Sequence, residues 1–98
     1  MLHIINKSPF ESSSLESCLR VAQPGAAVIL IEDGVYAATT AAAQARLHAA
    51  SGRLRVYALA PDIEARGMQE RIATGVELVD FAGFVDLVTS HNTVQSWL

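Results

Sequence analysis

The sequence predicts a small three-layer α/β fold with a mainly parallel sheet of four to five strands, and three observations predict it. Four apolar runs of strand length recur at Leu2 to Ile5, Ala27 to Ile31, Leu54 to Ala60 and Val76 to Val79, bounded by Gly, Pro, Asn or Asp. The second run is continuously apolar rather than alternating, as expected of a strand covered on both faces. Helical patterns fill the intervals between the runs, where crossovers between parallel strands belong. With 98 residues, 51% of them hydrophobic, the chain is expected to form one domain, 1–98, with a core of its own.

The first helix has two candidate starts, because Ser8-Pro9-Phe10-Glu11 and Ser13-Ser14-Leu15-Glu16 both place a Ser three residues before a Glu, the capping-box pattern. The later one is favoured. From it Leu15, Cys18, Leu19 and Ala22 fall at i, i+3, i+4 and i+7, one apolar stripe that stops before Pro24-Gly25. The second helix is expected to begin just after Asp33-Gly34 and to run to about Ala50, with Gly52 as its C-terminal cap. Val35, Ala38, Ala42, Ala45 and Ala49 make one of its faces, and Tyr36, Thr40, Ala43 and Leu47 another. Either alanine is there for its helix propensity, or the helix also packs against a neighbouring subunit.

After the third strand, Pro61-Asp62 opens a short helical turn that Gly67 closes, and Met68 to Thr74 shows no clear period. Asp80 caps a last helix in which Phe81, Phe84, Val85 and Val88 keep the helical spacing, and Thr93 to Leu98 can add an edge strand.

Seven Lys and Arg against ten Asp and Glu leave a formal charge of −3, with no run of consecutive basic residues. Direct nucleic-acid binding and polybasic membrane contact are therefore not expected. The longest apolar run, Gly25 to Ile31, is far short of the roughly 18 residues of a membrane span. A single cysteine suits a reducing compartment, so a cytoplasmic location is expected. His3, His48 and His91 fall in a strand, a helix and a helix end without metal-ligand spacing, so no metal is expected. No Gly-x-Ser-x-Gly elbow exists, and the run Ser12 to Ser14 reads as loop and cap chemistry.

In parallel α/β sheets ligands sit at the carboxyl ends of strands, here Asn6 to Pro9, Glu32 to Gly34, Pro61-Asp62 and Asp80. Three of these four positions are acidic and no Gly-rich loop follows the first strand, so no nucleotide cofactor is expected. Asp33 and Asp80 read as helix caps. Cys18 is the one side chain of distinctive reactivity, and it has two readings. It is an inert small hydrophobe on the apolar stripe, or a thiolate that attacks a sulfane sulfur, helped by Arg20 or Lys7 and hindered by Glu11 and Glu16.

The residues resemble the DsrH/TusB family of sulfur-relay proteins over nearly the whole chain. The resemblance is carried by Asn6-Lys7-Ser8-Pro9-Phe10, by Ser14-Leu15-Glu16-Ser17-Cys18-Leu19, by Glu32-Asp33-Gly34-Val35-Tyr36-Ala37-Ala38, and by Val56-Tyr57-Ala58-Leu59 with Asp62 and Ala65-Arg66-Gly67. Asp80-Phe81-Ala82-Gly83-Phe84-Val85-Asp86-Leu87 and Thr93-Val94-Gln95-Ser96-Trp97-Leu98 complete it. It implies a subunit of a cytoplasmic heterohexamer of the DsrEFH or TusBCD kind, built with DsrE/TusD-like and DsrF/TusC-like chains. Persulfide sulfur then passes from a TusA-like donor to a DsrC/TusE-like acceptor, serving sulfur oxidation or 2-thiolation of the tRNA wobble uridine. The resemblance also implies that Cys18, at a position where DsrH-type chains carry cysteine and TusB-type chains can lack it, is a candidate sulfur carrier and favours the DsrH branch. The alternative it leaves is a non-catalytic structural subunit in which Cys18 belongs to the core.

Overall fold

The computed structural model describes residues 1–39, 41–50 and 52–97. Thr40 and Leu98, placed above on a helix face and in the tail, lie outside the described residues, as do the side chains of Ala42 and Ala43. The strands are β1 (Leu2–Ile5), β2 (Ala27–Leu30), β3 (Arg55–Leu59), β4 (Val76–Val79) and β5 (Val94–Trp97), and the α-helices are α1 (Ser14–Val21), α2 (Ala41–Ala50), α3 (Ala60–Ala65) and α4 (Phe81–Ser90). The strands form one sheet in the order β4-β3-β2-β1-β5 with every pairing parallel.

Alternation along the strands sorts the core onto the two faces. Ile5, Val28, Leu30, Val56 and Ala58 meet Leu15, Cys18 and Leu19 of α1, Leu47 and Ala50 of α2, and Ile63 of α3 in the larger cluster. Leu2, Ala27 and Ile29 form the smaller one, covered by Phe84 and Leu87 of α4. Because α4 links β4 at one edge to β5 at the other, it crosses the second face and makes the third layer. All four residues of β2 are buried, as its continuous apolar run required.

Two local expectations are corrected here, and a third, Asp33 as a helix cap, is corrected below with the residues around it. The Ala-rich helix is broken in two, since Glu32–Ala38 is a 3₁₀ helix and the α-helix starts only at Ala41. Glu32 there takes a left-handed φ of 49°, and Gly34 passes so close to the Ile5 carbonyl oxygen that any Cβ would collide with it. Tight contact with the end of β1 therefore sets the backbone, against alanine's preference for a regular helix. The Ser13 capping box is also not formed: Ser13 stands at the N-cap of α1 without a side-chain cap bond, and Ser12 Oγ accepts from the Ser14 N–H instead, at 3.1 Å. Ser8 to Ser12 is a turn, in which the Ser8 carbonyl accepts from the N–H groups of Glu11 and Ser12.

The last helix, α4, forms where the spacing placed it. Of Phe81, Phe84, Val85 and Val88, only Phe84 packs on the sheet, joined there by Leu87, while Phe81, Val85 and Val88 are exposed. Three neighbouring readings hold: Pro61 lies in the first turn of α3, Gly67 follows it at φ +64°, and the Asp80 carboxylate caps α4 by accepting from the Gly83 N–H at 2.8 Å. Met68 to Thr74, which showed no period, contains a single 3₁₀ turn, Gln69–Arg71.

Candidate functional site

Cys18 lies midway along α1, on the stripe that turns toward β1 and β2, and none of its surface reaches solvent. Burial pushes its thiol up to about 11, and burial is the sole cause. The flanking charges read from the sequence, Arg20 and Lys7 as helpers, Glu11 and Glu16 as hindrances, do not act on it. Arg20 points to solvent, and Glu16 makes a long contact of 3.8 Å with Arg46 of α2. At neutral pH the group is thus a shielded neutral thiol, whereas sulfur transfer uses a thiolate that an incoming sulfur can reach.

The carboxyl ends of the strands gather a second set of residues. Asp62, opening α3, accepts from the Glu32 N–H at 2.6 Å, which holds the left-handed Glu32 in place. Asp33 does not cap a helix. It is half-exposed and pairs with Arg66 at 2.8 Å, whose guanidinium also donates to the Asp62 carbonyl at 3.1 Å and stands 5.8 Å over the Tyr36 ring. The hydrogen bond that the Arg66 guanidinium donates to Asp33 is the first cause holding it above its ordinary value. These residues therefore clamp the loop after β2 to α3, with the Arg66 guanidinium engaged by Asp33 and the Asp62 carbonyl. Asn6, at the end of β1, keeps a buried Oδ1 without a partner.

His3, His48 and His91 do not converge, and among the described residues no group of three His, Cys, Asp or Glu is placed to hold a metal ion. No helix among them is long and apolar enough to cross a membrane. What sequence reasoning missed is the pairing of His3 with Trp97, whose Nε1–H donates to His3 Nδ1 at 3.1 Å across β1 and β5. Ninety-odd residues apart, the two meet only because the last strand adds beside the first, and no sequence spacing signals that.

The family model described as "DsrH like protein" matches residues 7–94, from the loop after β1 to the first residue of β5. The chain belongs to the DsrH/TusB family. Among the relatives of this DsrH-family chain, the "Protein TusB" of Pectobacterium parmentieri is 38% identical over 97 residues, covering 99% of this chain and 100% of that protein. The "Protein TusB" of Escherichia coli (strain K12 / DH10B) is 33% identical over 100 residues, with the same coverage of both. The DsrH-family fold is shared with two solved structures of lower identity. The crystal structure of the ychN protein from E. coli superposes with a TM-score of 0.85 at 20% identity, covering 98% of this chain and 97% of that one. The solution structure of Tm0979 from Thermotoga maritima gives a TM-score of 0.67 at 24% identity, over 95% and 97%. The family is one of sulfur-relay proteins, with tRNA thiolation among its roles.

Proposed function

We propose that this chain is a structural subunit of a cytoplasmic sulfurtransferase assembly of the DsrEFH or TusBCD kind, completing a heterohexamer with DsrE/TusD-like and DsrF/TusC-like chains. Sulfur enters that assembly as persulfide from a TusA-like donor and leaves on a DsrC/TusE-like acceptor. The observation that carries the subunit reading is the outer face of α4, where Phe81 and Val85 are 61% and 58% exposed and Val88 completes the stripe. Apolar side chains aligned on one helix face and left in water mark a surface that a partner covers. Cys18 is assigned to the core, on its complete burial and raised pKa.

A second reading rests on the shortness of α1, eight residues without a side-chain cap bond at its N-terminus. A small outward movement of such a helix brings Cys18 to the surface. Its thiolate then attacks the outer sulfur of the donor's persulfide, forming the Cys18 persulfide and releasing the donor thiolate. Intact-mass measurement on the assembled complex, incubated with a sulfur-loaded donor, separates the readings. The structural role predicts sulfur on a partner chain and none on this one. Added sulfur on this chain that disappears in Cys18→Ser establishes the carrier role instead.

A further inference from the structure

An open cleft lies between the end of α1 and the β1–β5 edge of the sheet, and Cys18 does not line it. Val21 and Ala26 form one wall, and Met1, His3 and Trp97 the other, around about 630 Å³. That volume lies within the roughly 300 to 1,000 Å³ of small-molecule sites, which are mostly apolar with a few fixed polar groups. No Lys, Arg, Asp or Glu side chain lines it, and Met1, which does, is half-exposed and carries the positive α-amino group.

One polar group on its wall has a defined direction. His3 is buried to 3% exposure, and its Nδ1 accepts the indole N–H of Trp97. Burial first, and then the positive α-amino group, hold its pKa below the ordinary 6.5, so the ring is neutral. A neutral imidazole that accepts at Nδ1 carries its proton on Nε2. This Nε2–H has no hydrogen-bond partner among the described residues. Among the described residues Nε2 is not one of the buried unpartnered atoms, so it is open to a ligand in the cleft, and a fixed donor in a largely apolar wall favours one that brings an acceptor.

We infer that this cleft is a binding site for a small, uncharged, planar molecule with one hydrogen-bond acceptor, its ring against Trp97 and its acceptor on His3 Nε2. The site goes beyond the sulfur-relay reading and does not depend on it.

Acetophenone, an aromatic ring with a carbonyl acceptor, and its hydrocarbon isostere α-methylstyrene are suitable probes. Trp97 is the only tryptophan, so its indole N–H gives one resonance, and the His3 Nε2–H gives a second reporter in the full chain. Both probes are expected to shift the Trp97 signal saturably, and acetophenone alone to move the His3 Nε2–H signal. His3→Phe should reduce the preference for acetophenone over the isostere by roughly threefold to tenfold. No saturable shift of Trp97 with either probe overturns the site. A His3 Nε2–H signal unmoved by acetophenone overturns the assigned donor, and this measurement needs only the natural chain if His3→Phe does not fold.

Discussion

At residue scale Cys18 separates the two proposed readings, structural subunit and sulfur carrier. The thiol is enclosed by Leu15, Leu19, Ala22 and the strands beneath, where a neutral sulfur packs well and a charged one does not. Below the ordinary value of 9.0 the thiol is protonated whether the chain is folded or not, and it adds no pH dependence. Between 9.0 and about 11 the unfolded chain loses the proton and the folded one keeps it. Stability should therefore fall as pH rises through that window, by about 3 kcal/mol once both states are ionised. Urea unfolding at a series of alkaline pH values checks this, with Cys18→Ala expected to lack that part of the slope. In the same core role, iodoacetamide at neutral pH should modify Cys18 only after denaturant is added. Modification of the native protein at the rate of free cysteine would instead support the carrier.

At the scale of elements, the helix ends separate sequence patterns that form their bonds from patterns that do not. Asp80 caps α4 by a bond to the Gly83 N–H, so Asp80→Ala should cost about 1 kcal/mol. Ser13 occupies the capping position of α1 without making a cap bond, whereas Ser12 Oγ reaches both the Ser14 N–H and the Ser14 hydroxyl. Ser12→Ala should therefore destabilise by roughly 0.5 to 1.5 kcal/mol and Ser13→Ala by a few tenths at most. Chemical denaturation of the three variants checks the order, and a Ser13 cost equal to that of Asp80 would contradict the observed cap. The loop after β2 follows the same logic, since Asp33 acts by pairing with Arg66 rather than by starting a helix.

For the whole molecule, a mean hydropathy of +0.30 has to be placed somewhere, and the single layer over the second sheet face is where the excess shows. Only Phe84 and Leu87 of α4 turn inward onto that face, so Phe81, Val85 and Val88 look outward. The chain expressed alone should self-associate, and co-expression with DsrE-like and DsrF-like chains should give one stable species. Phe81→Asp combined with Val85→Asp changes exposed positions, so the fold should persist while copurification with those partners is lost. Size-exclusion chromatography and circular dichroism of the double variant check both parts. Assembly undisturbed by the two aspartates would remove α4 from the interface.

The sequence by itself determined the strands, the helix stripe that carries Cys18 and the Asp80 cap, because these rest on periodicity and on short patterns read within a few residues; the family was legible too, but only as a resemblance of blocks spread over the chain. The continuous run at β2 even announced burial on both faces, which all four of its residues show. Only the tertiary structure decided the break in the Ala-rich helix, since the collision that a Cβ on Gly34 would meet comes from Ile5, on another strand. It likewise decided that Asp33 finds Arg66, that Trp97 finds His3, and which residues of the α4 stripe face water. Periodicity names an apolar face without saying how much of it the sheet is wide enough to cover. Cys18 shows the same division: its helical position was legible in advance, while its complete enclosure depends on how α1 seats against β1 and β2, a packing that no local pattern encodes.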